Sequence, residues 1–83
     1  MHVRLLFFAS LKDIVGAREL DVEIAEGSTV SNLLEQLELK YPRLKDYRSV
    51  VLTAINEDYV DKTAQISPED EVAIFPPVSG GAA

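Results

Sequence analysis

Residues 3–9 read VRLLFFA, a short run in which nearly every position is apolar. Successive side chains of a β-strand point to opposite faces, so Leu5 and Phe7 share one face of this segment. Leu6 and Phe8 lie on the other face. Because both faces are largely apolar, we predict a central strand with a cover on each side.

A second strand is expected shortly after the first. Residues 11–15 are predicted to form a short helical turn that Gly16 ends. Residues 18–24 then alternate between apolar and mostly acidic positions, which is typical of a strand with one wet face. The short connection, which contains a glycine, predicts an antiparallel hairpin between the two strands.

The middle of the chain carries the helix signal, because apolar residues recur there at helical spacing. They lie on one face: Val30, Leu33, Leu34, Leu37 and Tyr41. Ser28 or Thr29 is the predicted N-cap, with only a partial capping box because no Glu or Gln stands three residues later. Pro42 is expected to close the helix, and residues 43–49 are interpreted as a polar connection.

Three further strands complete the pattern, at residues 50–56, around 59–60 and at 71–75, with turns between them. The order predicts an α+β fold of the ubiquitin-like β-grasp type, in which a mixed sheet of about five strands wraps one main helix. We predict one β-grasp domain over residues 1–77. Residues 78–83 are expected to form a flexible C-terminal tail that carries Gly80-Gly81.

Length, composition and net charge argue against several classes of protein. The chain has 83 residues and no apolar run near the roughly 20 residues of a membrane span, so we expect a cytoplasmic protein without membrane contact. It has no cysteine and one histidine, His2, which argues against thiolate metal sites and a Ser-His-Asp arrangement. The net charge of −6 argues against nucleic acid and suits a basic protein partner.

The ending PPVSGG, residues 76–81, suggests chemistry at the main chain. The two prolines favour an extended exit, and glycines without Cβ atoms fit a narrow tunnel in a partner enzyme. A free Gly81 carboxylate could be converted to an acyl-adenylate by a nucleotide-dependent partner. A sulfur donor would then displace the nucleotide and leave a thiocarboxylate. A Gly-Gly end by itself is more often only a loose terminus.

With these features, the chain resembles the small, sulfur-carrying subunits of molybdopterin synthase from Val3 to Gly81. The matching segments are Leu5–Ala9 followed by Gly16, Ala54–Asn56, and the more specific block Asp70–Gly81. The resemblance implies that a ubiquitin-activating-like adenylyltransferase uses ATP on the terminal glycine and that a sulfur donor system follows. The chain would bind no cofactor or metal itself.

The resemblance also implies the final acceptor and the site residues. The large synthase subunit would receive the tail in a heterotetramer and pass its sulfur to cyclic pyranopterin monophosphate. Gly81 matches the sulfur-carrying residue, and Gly80 precedes it. The partner-facing positions are expected to be Phe8, Lys12, Tyr59, Phe75, Pro76, Pro77, Val78 and Ser79. The family usually has a smaller aliphatic residue where this chain has Tyr59.

The sequence departs from that family at Ala82-Ala83, which place the Gly81 carbonyl in a peptide bond. Proteolytic trimming, a remnant of a fusion or of cloning, and a chain that is never activated all remain open. The alternative functions are a sulfur carrier for thiamine or tRNA thiolation, a ubiquitin-like protein modifier in which Lys62 is one acceptor, and a β-grasp binding module without activation. The acidic residues 69–71 are interpreted as a solvated turn, not a metal site.

Overall fold

The computed structural model describes residues 1–77, and strands and helices follow one another throughout this range. In chain order they are β1 (His2–Phe7), α1 (Ser10–Val15), β2 (Glu19–Glu23), α2 (Val30–Lys40), a 3₁₀ helix (Pro42–Tyr47), β3 (Leu52–Ile55), β4 (Asp58–Val60) and β5 (Glu71–Phe75). The predicted tail, residues 78–83, lies outside the described residues.

The five strands form one mixed sheet in the order β2-β1-β5-β3-β4. β1 runs antiparallel to β2 and parallel to β5, whereas β3 runs antiparallel to both β4 and β5. The parallel pair at the centre needs a long crossover, which the segment from β2 to β4 supplies with α2 in it. The predicted α+β, ubiquitin-like β-grasp architecture is confirmed.

The core lies between α2 and one face of the sheet. Leu5 and Phe7 of β1 are fully buried there, as the alternation predicts, and Leu33 of α2 is equally buried. Full burial of each such side chain stabilises the fold by about 1.5–3 kcal/mol. The expected cover on the second face of β1 is wrong: Arg4 and Phe8 are exposed, because the helices of the described chain leave that face open.

The N-terminus of α2 has a complete capping box, which corrects the partial one expected. The Thr29 hydroxyl accepts a hydrogen bond from the Asn32 N–H at 3.2 Å, and the Asn32 side-chain oxygen accepts one from the Thr29 N–H at 2.9 Å. The amide oxygen of asparagine therefore performs the part usually taken by Glu or Gln.

The segment after α2 is also more ordered than the predicted polar connection. Pro42 ends α2 and at the same time begins the 3₁₀ helix, where its missing N–H and fixed φ are tolerated. Leu44 of this helix is buried in the core. None of the helices within residues 1–77 is long and apolar enough to cross a membrane.

Arg48 ties the end of this segment back to α2. Its guanidinium donates to Glu38 at 3.4 Å and to the Ser31 hydroxyl at 3.0 Å, and it lies 3.4 Å from Glu35. The Glu38 side chain is only 5% exposed, whereas that of Glu35 is 60% exposed. A buried carboxylate needs a partner, so the contact between Arg48 and Glu38 matters most for stability.

We expect Arg48→Ala to lower the free energy of unfolding by about 1–3 kcal/mol, because it leaves Glu38 buried without its cation. Glu35→Ala is the matched control and should change it by less than about 0.5 kcal/mol, since exposed ion pairs contribute little. Chemical denaturation of both variants measures the difference. Equal effects of the two substitutions would contradict this account of the Arg48 contacts.

Candidate interaction surface at the tail exit

Three of the predicted partner-facing residues meet on the open face of the sheet. The rings of Phe8 and Phe75 stack with centroids 4.5 Å apart and an interplanar angle of 12°. The Tyr59 ring is tilted by 50° against Phe75, with centroids 6.0 Å apart. We call Phe8, Tyr59 and Phe75 the aromatic cluster. Residues far apart in sequence thus form one apolar surface.

Strand alternation explains why Phe75 lies on this face. Val72 and Ile74 of β5 point into the core and are buried, so Phe75 must point outward. Tyr59 pairs in register with Ala54, whose side chain points to the same face. Offset stacking of the two phenylalanines adds about 0.5–1.5 kcal/mol beyond their burial.

One neighbour of the cluster was not predicted from sequence. Leu52 is opposite Phe75 in the β3–β5 register and is 43% exposed. It extends the apolar surface beside Phe75, while Tyr59, at 72% exposed, forms the most open part. Alternation within residues 50–56 shows which residues share a face with Leu52 but not which face that is. Its pairing with β5 decides this.

The aromatic cluster lies at the base of the tail. Phe75 is the last residue of β5, and Pro76 and Pro77 follow it directly. Proline cannot donate to a strand ladder, so the chain stops pairing and leaves the sheet here. Pro76 is half-buried and Pro77 is exposed. Val78, Ser79, Gly80 and Gly81 lie outside the described residues.

Lys12 is an exposed residue of α1, four residues after Phe8 in the sequence. The Leu11 N–H donates to the Phe8 carbonyl at 3.1 Å, which joins the start of α1 to the end of β1. Lys12 shares a shallow surface depression with Arg18. Sequence reasoning did not single out Arg18. The backbone bond from the Phe7 N–H to the Arg18 carbonyl, 2.8 Å, brings Arg18 to the same end of the sheet.

The other half of the open face is charged. In the strand register Arg4 lies between Asp21 on β2 and Glu71 on β5. The acidic residues 19, 21 and 23 project from β2 on the same side. The open face is therefore divided into an apolar part at the tail exit and a charged part at the opposite end of β1. A partner that binds the tail would meet the apolar part.

A carboxyl with a shifted pKa lies in the turn after β4. The Thr63 hydroxyl and the Thr63 N–H both donate to the Asp61 carboxylate, which lowers the pKa of Asp61 below its ordinary value. This arrangement stabilises the turn. The neighbouring Lys62 is half-buried, and its ammonium donates to the Val51 carbonyl at 3.5 Å.

Comparison with known proteins adds to this geometry. The ThiS family model matches residues 5–81, which include the second half of β1, the aromatic cluster and the Gly-Gly end. The chain belongs to the ThiS family. The molybdopterin synthase sulfur carrier subunit of Arabidopsis thaliana is 38% identical over 81 residues, covering 98% of this chain and 84% of that protein.

Solved structures similar to this ThiS-family chain share its fold. A putative molybdopterin converting factor subunit 1 from Pyrococcus furiosus is 28% identical, with a TM-score of 0.83 over 94% of this chain and 99% of that one. SAMP1 from Haloferax volcanii is 27% identical, with a TM-score of 0.83 over 98% of this chain and all of that one. The resemblance to molybdopterin synthase small subunits is thereby confirmed.

Proposed function

We propose that this chain is the sulfur carrier subunit of a molybdopterin synthase and that its Gly81 carries the sulfur as a thiocarboxylate. The observation that carries the proposal is the aromatic cluster at the base of the tail, within a chain of the ThiS family. The 38% identical relative from Arabidopsis thaliana is named a molybdopterin synthase sulfur carrier subunit, and this similarity supports the choice of pathway.

The chemistry takes place at the main chain. A Gly81 carboxylate oxygen attacks the α-phosphorus of ATP on an adenylyltransferase, pyrophosphate leaves, and an acyl-adenylate forms. A sulfur donor attacks the acyl carbon and AMP leaves, which produces the thiocarboxylate. Formation of a dithiolene needs two such sulfurs, so the large synthase subunit transfers one from each of two thiocarboxylated chains to cyclic pyranopterin monophosphate, and water restores each carboxylate. In the printed sequence Gly81 precedes Ala82, so the reaction requires cleavage of that peptide bond.

The fold contributes position and recognition. Because β5 ends at Phe75 and two prolines with fixed φ follow, the chain leaves the sheet directly before the tail begins. The exposed aromatic surface gives both the adenylyltransferase and the large subunit the same apolar anchor. Lys12 and Arg18 supply charge at its border, where they would meet acidic groups of a partner. We further propose that the complex is a cytoplasmic heterotetramer.

Protein modification is the second candidate, and one finding favours it. SAMP1 of Haloferax volcanii, a small archaeal modifier protein, has the same fold at 27% identity. A modifier would transfer the activated Gly81 acyl group to a lysine amine instead of accepting sulfur. Carriers for thiamine or tRNA thiolation would share the thiocarboxylate and differ only in the acceptor.

A reconstitution distinguishes these acceptors. The chain ending at Gly81 is first converted to its thiocarboxylate and then mixed with a large synthase subunit and cyclic pyranopterin monophosphate. We expect molybdopterin to form, measured by fluorescence of its oxidised derivative, with return of the Gly81 carboxylate. A thiocarboxylated chain that produces no molybdopterin, while it supports thiazole synthesis or tRNA thiolation or attaches to lysines, would contradict this choice of pathway.

A further inference from the structure

The edge strand β2 has a row of backbone groups that face away from the sheet. β2 is the first strand in the sheet order, so within residues 1–77 its outer side has no strand beside it. The Arg18 carbonyl accepts from the Phe7 N–H, and the Ile24 N–H donates to the Met1 carbonyl at 2.9 Å. In an antiparallel pair the backbone N–H and C=O groups of successive residues point alternately to either side, so those of residues 18, 20, 22 and 24 face β1. The outward-facing positions are Glu19, Asp21 and Glu23.

An apolar groove of about 410 Å³ runs beside this edge, between β2 and the second half of α2. Leu20 and Val22 are half-buried on its β2 side. Leu39 lies on its α2 side and is 85% exposed, the highest value among the large apolar residues of the described chain. Gln36 spans the groove and donates to the outward Glu23 carbonyl at 3.0 Å. Gln36 thus occupies the outward Glu23 carbonyl, and the outward backbone groups of Glu19 and Asp21 are left for an occupant.

The side chains on the other side of this edge are all acidic. The Glu23 carboxylate is held by His2 at 2.7 Å and by the N-terminal amine at 3.4 Å. Glu19 and Asp21 form no ion pair with any other described residue. An occupant of the edge would therefore meet a mainly acidic side, where Arg4 lies opposite Asp21, and a mainly apolar groove, whose lining also includes Lys40.

We propose that the β2 edge and this groove form a docking site for an extended segment of a partner protein in which apolar residues alternate with Lys or Arg. The backbone of that segment would extend the sheet by pairing with the outward groups of Glu19 and Asp21. Its apolar side chains would enter the groove beside Leu20 and Leu39. Its cations would lie beside Glu19 and Asp21.

A second copy of this chain is a poor occupant of the same edge. Pairing β2 with β2 would place the acidic row against an identical row, and like charges opposite each other destabilise a sheet. The proposed site also leaves the aromatic cluster free, since β1 separates β2 from β5. The chain could therefore be held at β2 while its tail is used. This inference does not depend on the proposed function.

Titration with the synthetic peptide Ac-KVKVKVK-NH2 tests the proposal, with the backbone amides of the chain followed by NMR at low salt. We expect concentration-dependent shifts at Glu19, Asp21 and Glu23 and about tenfold slower hydrogen exchange of the Asp21 amide. Asp21→Pro removes only an outward N–H, which edge strands tolerate, and should weaken binding by about tenfold. The amide spectrum shows whether that variant folds.

Charge variants keep the test decisive if the proline variant unfolds. Asp21→Lys should weaken binding by about tenfold, whereas Asp58→Lys on the opposite edge strand β4 makes the same charge change and should have little effect. Absence of binding at about 1 mM peptide would overturn the proposal, and so would equal binding of the acidic peptide Ac-EVEVEVE-NH2. Amide shifts confined to the aromatic cluster, or a dimer of the chain formed through β2, would also overturn it.

Discussion

Replacement of Phe75 with alanine will weaken the binding of the large molybdopterin synthase subunit by about 2–4 kcal/mol, or roughly 30- to 700-fold. Phe75 is the central ring of the aromatic cluster, stacked on Phe8 and in contact range of Tyr59. Buried aromatic anchors commonly dominate the energy of an interface. Phe75 is also the last residue of β5, separated from the tail only by Pro76 and Pro77, so its loss removes the anchor nearest to the tail.

The same variant should remain folded. Phe75 is half-buried on the open face, outside the core between the sheet and α2, so we expect loss of its burial and stacking to lower the free energy of unfolding by about 1–3 kcal/mol. Glu35→Ala is the control, because it removes an exposed side chain from α2, which packs on the other face of the sheet and outside the β2 groove. It should change the affinity for the large subunit by less than about twofold.

Isothermal titration of the large subunit with the three chains measures these affinities, and chemical denaturation measures their stabilities. The account requires a large loss of affinity for Phe75→Ala without a matching loss of stability. An affinity unchanged by Phe75→Ala, or reduced equally by Glu35→Ala, would show that the aromatic cluster is not the anchor.

The sequence predicted those features of the fold that depend on a residue pattern within a single strand or helix. Alternation in β1 and β5 placed Leu5 and Val72 in the core and Phe8 and Phe75 on the opposite face, and helical spacing identified the buried face of α2. These patterns depend on geometry within one element. For that reason the α+β fold and much of the candidate surface could be predicted before any contact between elements was known.

The features that sequence reasoning missed depend on contacts between elements. Leu52 joins the exposed surface because of its register with Phe75, and Arg18 lies near Lys12 because of the hairpin. The burial of Glu38 follows from the position of Arg48, ten residues further along the chain. An acidic residue in a helix ordinarily predicts exposure, so no local pattern indicated this contact.

The central claim is that Gly81 becomes the sulfur-carrying end of the chain. It requires a free carboxylate at that residue, because an acyl-adenylate cannot form at a carbonyl already in a peptide bond with Ala82. The claim therefore predicts an all-or-none difference between two chains that share the whole β-grasp domain. They differ only at Ala82 and Ala83.

Intact-mass measurement tests this claim most directly. The chain ending at Gly81 and the chain of the full printed sequence are each incubated with an adenylyltransferase of this family's pathway, ATP and a sulfur donor, with ATP omitted as the control. We predict that the chain ending at Gly81 gains the mass difference between one sulfur and one oxygen atom, only with ATP, and that the full chain does not. A chain ending at Gly81 that adenylates without gaining sulfur, or never reacts, would contradict the account.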